Sequence, residues 1–192
     1  MPKPQTDYLV QLIKSMTKSE KRFFKVFVNR NNASEDTLFI QLFDAIDRMK
    51  SYEEESILTK IPGIKKAQLS NLKAHLYKQL LVSLRLLHRN QMADIEMRER
   101  LDYARVLYSK GLYRQSLEIL DKLKRKSEAL YQYTIALEIL EFEKLIETQY
   151  ITRSMSDRAE ELTREAQDLT NKVRRSHEFS NLSLLLYGLY LK

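Results

Sequence analysis

Apolar residues recur at three- and four-residue steps along almost the whole chain, the period of an amphipathic helix. The spacing predicts a first helix over 6–15, with Leu9, Leu12 and Ile13 on one side. Thr17-x-x-Glu20 reads as a capping box that opens a second helix, on which Phe23, Phe24 and Phe27 share a face. Asn29 to Asn32 reads as its end, because asparagine tolerates the left-handed conformation of caps and turns. Ser34 is placed to cap a third helix, whose face is Phe39, Leu42, Phe43, Ile46 and Met49. A short helix over 52–60 precedes the clearest break in the chain, Pro62-Gly63.

From Ile64 a long helix runs to about Asn90. Leu69, Leu72, Leu76, Leu80, Leu84 and Leu87 form its apolar seam, and Asn71, His75, Lys78, Arg85 and Arg89 fall on its back. Further helices are read over 92–110, 112–126, 129–152, 156–175 and from 178 onward. The helix over 129–152 carries one stripe of Ile135, Ile139, Phe142, Ile146 and Tyr150, while Leu137, Leu140 and Leu145 point elsewhere. A helix apolar on more than one face belongs between neighbours. The pattern therefore predicts an all-α protein with an N-terminal helical region over 1–62, continuous with further helices over 63–192.

Composition supports that class. Only three glycines and three prolines occur among 192 residues, too few for the turns of a sheet protein. There is no cysteine, which removes disulfides, thiolate catalysis and thiolate metal ligation. The N-terminal residues lack the apolar core of a signal peptide, and no apolar run reaches the length of a membrane span. The reading is of a cytoplasmic protein.

The net charge of +7 is unevenly spread. Residues 1–30 hold seven basic and two acidic groups, and residues 31–64 hold three and seven. Residues 65–90 hold six basic groups and no acid, while the remainder balances at 17 each. The basic excess is thus confined to two stretches, a face suited to acidic partners.

The segment ARVLYSKGLYRQSLEILDKL (104–123) resembles the tetratricopeptide repeat, a helix pair with small residues at the crossing and a Gly-x-Tyr at the turn. Ala104 stands at the small position of the first helix, Gly111 and Tyr113 at the turn, and Ser116 at the first small position of the second helix. Leu123 departs from the later small position. A weaker second copy places Tyr150, Ala159 and Ala166 at matching positions, with Ser154 instead of glycine and a spacing of 43 residues from Ser116 to Ala159. Gly188 fits the small position of a third. The resemblance covers 92–192 and implies antiparallel helix pairs stacked as an α-solenoid; the alternative is an irregular helical bundle. Solenoids normally end on a polar helix. Leu184, Leu185, Leu186, Leu189 and Leu191 form no such cap, so a longer protein or self-association through this helix is expected.

No cofactor or metal site is expected. His75, His88 and His177 lie in no metal-binding spacing, and phosphate-loop and nucleophile-elbow motifs are absent. Glu138, Glu141, Glu143 and Glu147 share no face and read as solvated or paired charges. Catalysis is not expected. The resemblance implies a non-enzymatic interaction module or scaffold that binds a protein or peptide, with Arg98, Leu101, Arg105 and Tyr108 toward the groove and Lys144 and Thr148 from the second copy. Leu101 and Arg105 occupy the positions of the lysine-and-asparagine clamp that some members use for a peptide C-terminus, so a carboxylate-terminated ligand is not implied. The rival reading is a nucleic-acid-binding regulator that uses Lys18, Lys21, Arg22 and Lys25 of the second helix with Lys78, Arg85 and Arg89 of the long one. Membrane-surface binding by 17–30 is disfavoured, because its phenylalanines have partners in Phe39, Phe43 and Ile46.

Overall fold

The capping box at Thr17 forms. The Thr17 backbone N–H donates to Glu20 Oε2 at 2.6 Å, and the Glu20 N–H donates to Thr17 Oγ1 at 3.3 Å. Two donors that a helix start leaves unpaired are thereby satisfied. The protein is described from a computed structural model that covers residues 4–31, 36–49, 52–61, 63–149 and 156–191. Ser34, Asn32, Pro62, Tyr150 and Ser154, each given a role above, lie outside the described residues.

Among the described residues every regular element is a helix, so the fold is all-α. The chain divides into two compact units, Met1–Gln91 and Met92–Lys192. The first holds α1 (Pro4–Ser15), α2 (Lys18–Asn31), α3 (Asp36–Arg48), α4 (Glu54–Lys60) and α5 (Lys66–His88). The second holds α6 (Ala93–Ser109), α7 (Tyr113–Ala129), α8 (Tyr133–Gln149) and α9 (Ser156–Tyr190).

In the first unit the phenylalanines of α2 go inward. Phe24 is fully buried, with its ring centroid 4.9 Å from that of Phe43 on α3. Phe23 and Phe27 are half-buried. Ile13 of α1, Ile46 of α3, Ile57 of α4 and the α5 seam of Leu69, Leu76 and Leu80 complete one core. Burying a side chain of this size contributes about 1.5–3 kcal/mol. Lys73 is the one charged residue among the buried positions of α5. It is buried, and its Nζ donates to Tyr52 Oη at 2.9 Å and to Glu54 Oε1 at 2.8 Å. Burial would lower its pKa, but these partners outweigh that effect and hold it above the usual lysine value.

In the second unit α6, α7 and α8 each run for 17 residues. The turns between them share one geometry. Gly111 and Leu112 N–H donate to the Tyr108 and Leu107 carbonyls at 2.9 Å each, and Tyr131 and Gln132 N–H donate to the Glu128 and Ser127 carbonyls at 3.0 and 2.8 Å. Each turn has one left-handed residue, Gly111 at φ 75° and Tyr131 at φ 57°. This second turn starts α8 at Tyr133, four residues later than the apolar pattern predicts.

Ala104 and Ser116 lie where α6 and α7 approach closely. Both are fully buried, and Ser116 Oγ donates to the Ala104 carbonyl at 2.8 Å. Helix α8 sits between neighbours, as its two apolar faces require. Ile135, Ile139 and Ile146 join a core with Met97 and Leu101 of α6 and Leu120 and Leu123 of α7. Ala136 and Leu140 join Leu162, Ala166 and Leu169 of α9 in another.

The predicted break between 175 and 178 does not occur. Helix α9 is continuous for 35 residues, because Arg-Arg-Ser-His-Glu contains neither glycine nor proline and polar residues alone do not stop a helix. Its first half packs on α8, whereas every residue from Arg174 to Leu191 is exposed. No helix among the described residues is long and apolar enough to cross a membrane.

Candidate functional site

Helices α6 and α8 meet along one face, and three of the expected groove residues come together there. Arg105 Nη2 lies 2.6 Å from Glu138 Oε1, and Arg98 Nη1 lies 3.9 Å from Glu138 Oε2. One carboxylate on α8 thus holds two guanidinium groups of α6, the second loosely. Arg105 also reaches Asp102 at 3.4 Å and stands 6.0 Å from the Phe142 ring centroid. Arg98 keeps 61% of its side-chain surface in solvent.

Tyr108 closes the same face. Its ring meets those of Tyr113 and Phe142 edge-on, each at a centroid distance of 5.4 Å. Its hydroxyl donates to Gln149 Oε1 at 2.5 Å. Glu138, Phe142, Leu145 and Gln149 are spaced 4-3-4 on α8, which puts them on one helical face. That spacing is visible in the sequence; the pairing of Glu138 with α6, across 33 residues, is not. The arrangement offers one loosely held guanidinium, that of Arg98, and a second, that of Arg105, near the Phe142 ring; arginine and aromatic groups are the side chains that most often anchor a partner. Lys144 lies apart from it. Six residues from Glu138, it points away from this face, is half-buried and pairs with Glu141 on its own helix at 2.8 Å.

The basic residues of the first unit divide. Lys21 pairs with Asp47 and Lys25 with Asp44, each at 2.6 Å, so α3 supplies carboxylates to two of the four candidate cations of α2. Lys18 and Arg22 are exposed and form no ion pair among the described residues. On α5, Lys78 and Arg85 are exposed, and Arg89, just past the helix end, is half-buried. The back of α5 is less polar than its charged and polar residues suggest, because Leu81, Val82 and Leu86 are also exposed. Lys18, Lys21, Arg22 and Lys25 line one shallow cleft of about 350 Å³, whose lining includes none of the α5 basic residues. Lys21 and Lys25 turn to α3, whereas α2 reaches the end of α5 through Glu20, whose Oε1 lies 2.8 Å from His88 Nε2.

A charge network that the sequence does not announce joins α7, α8 and α9. Glu143 is 4% exposed. It accepts from Lys124 Nζ at 3.0 Å and from Arg158, while Lys124 also reaches Glu165 at 2.7 Å. Burial would depress the Lys124 ammonium, but Glu165 and Glu143 outweigh it and keep the pKa above the ordinary lysine value. Lys124, Arg158 and Glu165 line an open polar cleft of about 510 Å³ whose walls carry both signs of charge. Every member has a partner within the network, which is the pattern of a structural lock.

The chain matches no family model, and neither a curated protein nor a solved structure is a significant match.

Proposed function

We propose that the protein is a non-enzymatic interaction module of helical-repeat type, acting in the cytoplasm, that binds a protein or peptide partner on the α6–α8 face. In this reading α6 to α9 are antiparallel helix pairs stacked as a short solenoid, similar to the tetratricopeptide repeat. The observation that carries it is the gathering of Arg98, Arg105 and Tyr108 around Glu138, Phe142 and Gln149. A partner carboxylate takes Arg98, whose own contact is weak, and a partner apolar group covers Phe142 and Leu145. The repeated turn, the close Ala104–Ser116 approach and the 40-residue offset from the start of α6 to the start of α8 support the repeat reading. In this reading the face does not include Lys144, which pairs with Glu141 on its own helix.

A nucleic-acid-binding regulator is the second reading, favoured by the acid-free stretch 65–90 and the exposure of Lys18, Arg22, Lys78 and Arg85. Affinity capture from nuclease-treated lysate separates the two. The first reading expects a protein retained by wild type and by Lys78→Glu/Arg85→Glu, and reduced about tenfold by Arg98→Ala/Arg105→Ala. Loss on nuclease treatment, or loss in the α5 variant alone, supports the second.

A further inference from the structure

The geometry points to a second site, in the first unit, where the cleft between α3 and α5 binds an extended peptide segment by its main chain and takes one apolar side chain into its floor. The cleft has a volume of about 330 Å³, at the small end of ligand pockets, which run to about 300–1,000 Å³. Its floor is Leu38, Phe39, Ile64 and Leu72. Its rim is Gln68, Asn71 and His75, and no lining residue is Lys, Arg, Asp or Glu. A rim without charge selects against anionic and cationic ligands alike.

What the rim offers is paired donors and acceptors. A carboxamide carries an N–H donor and a C=O acceptor side by side, the complement of a peptide group. Among the described residues the carboxamides of Gln68 and Asn71 form no hydrogen bond, and both side chains are exposed. His75 is oriented from both sides. Its ring stands edge-on to Phe39 at 4.8 Å, and Gln79 Nε2 lies 3.2 Å from its Nε2. The other ring nitrogen, Nδ1, forms no hydrogen bond among the described residues and is left for a ligand.

The spacing fits an extended chain. Asn71 and His75 are one turn apart, about 6 Å along the helix axis. An extended peptide presents equivalent groups on one side every two residues, about 6.6 Å. Peptide groups two residues apart therefore meet Asn71 and His75 in turn, and the intervening side chain points into the floor. A charged or bulky polar residue at that position is excluded by the apolar walls. Gly63 sits at the mouth, where an added Cβ would stand 3.1 Å from Leu38 Cδ2.

The test is a titration of the full chain followed by NMR, with the capped peptide Ac-Ser-Ser-Leu-Ser-Ser-NH2 as probe. Saturable shifts at the Gln68 and Asn71 side-chain amides and at the Gly63 N–H are expected, with a dissociation constant of about 1 mM. Main-chain N-methylation of the probe at the leucine and the following serine should weaken binding about tenfold, the worth of one hydrogen bond. Asn71→Leu should weaken it equally, and Gln68→Leu serves if the first variant loses helix by circular dichroism. No saturable shift up to about 10 mM, or equal binding of the N-methylated probe, overturns the proposal. The site is in the unit that lacks the α6–α8 face, so its failure leaves the proposed function standing.

Discussion

His88, at the end of α5, and Glu20, in the first turn of α2, form an ion pair with Nε2 and Oε1 2.8 Å apart, across 68 residues of sequence. The same carboxylate closes the capping box through its other oxygen. Hydrogen bonds accepted by Gln91 and then by Glu20 raise the histidine above its ordinary 6.5. The Thr17 backbone and then His88 lower Glu20 below its ordinary 4.5.

The sign of the pH dependence follows. A raised histidine contributes stability fully below its unfolded value and loses it as pH rises through the folded value. A lowered carboxylate contributes above its unfolded value and loses it as pH falls through the folded one. The pair is therefore at full strength between 4.5 and 6.5. Urea midpoints of wild type minus His88→Gln should be largest in that window and shrink above it. A difference that stays flat to pH 8 would mean that the pair contributes nothing.

The buried network around Glu143 gives a larger effect. Lys124→Met leaves Glu143 and Glu165 without their shared cation and should cost about 3 kcal/mol, as broken buried pairs do. Lys124→Met/Glu143→Met should cost less than the sum of the two single changes by at least about 1 kcal/mol. Additive losses in chemical denaturation would show that the network is not a unit.

The two left-handed turn residues separate backbone strain from packing. A Cβ on Gly111 would meet nothing within 4 Å, so Gly111→Ala tests conformation alone and should destabilise by about 1 kcal/mol. Tyr131→Asn places a residue more tolerant of φ 57° at the equivalent turn and should stabilise by about 0.5 kcal/mol. Equal and opposite results would place the strain elsewhere.

The exposed half of α9 bears on association. Nine large apolar side chains from Phe179 to Leu191 are each more than half exposed. Sedimentation should reveal concentration-dependent self-association, and Leu185→Lys/Leu189→Lys should leave a monomer. A wild-type monomer at about 100 µM would contradict this, since a patch of that kind rarely stays uncovered.

Much of the fold was legible because its causes are local. The Thr17–Glu20 box, the α5 leucine seam and the two-faced α8 all follow from spacing within a few turns. The continuity of α9 is not legible, because the polar run Arg174 to Glu178 imitates a break although it contains no breaker residue. Tyr131 was not legible as a turn residue, since a tyrosine does not advertise a positive φ. The candidate face was half legible. Arg98, Arg105 and Tyr108 are what the repeat resemblance implies, but Glu138 acts across a helix pair, where periodicity carries no information. The same holds for Glu143, whose burial depends on Lys124 and Arg158 on two other helices.

The central claim is that α6 and α8 together present the partner-binding face. Hydrogen–deuterium exchange of the full chain, with and without a protein recovered by nuclease-resistant capture, tests it most directly. Partner-dependent protection concentrated in residues 97–109 and 137–149 is the result predicted. Protection confined to 18–29 and 78–89, with α6 and α8 unchanged, would contradict it.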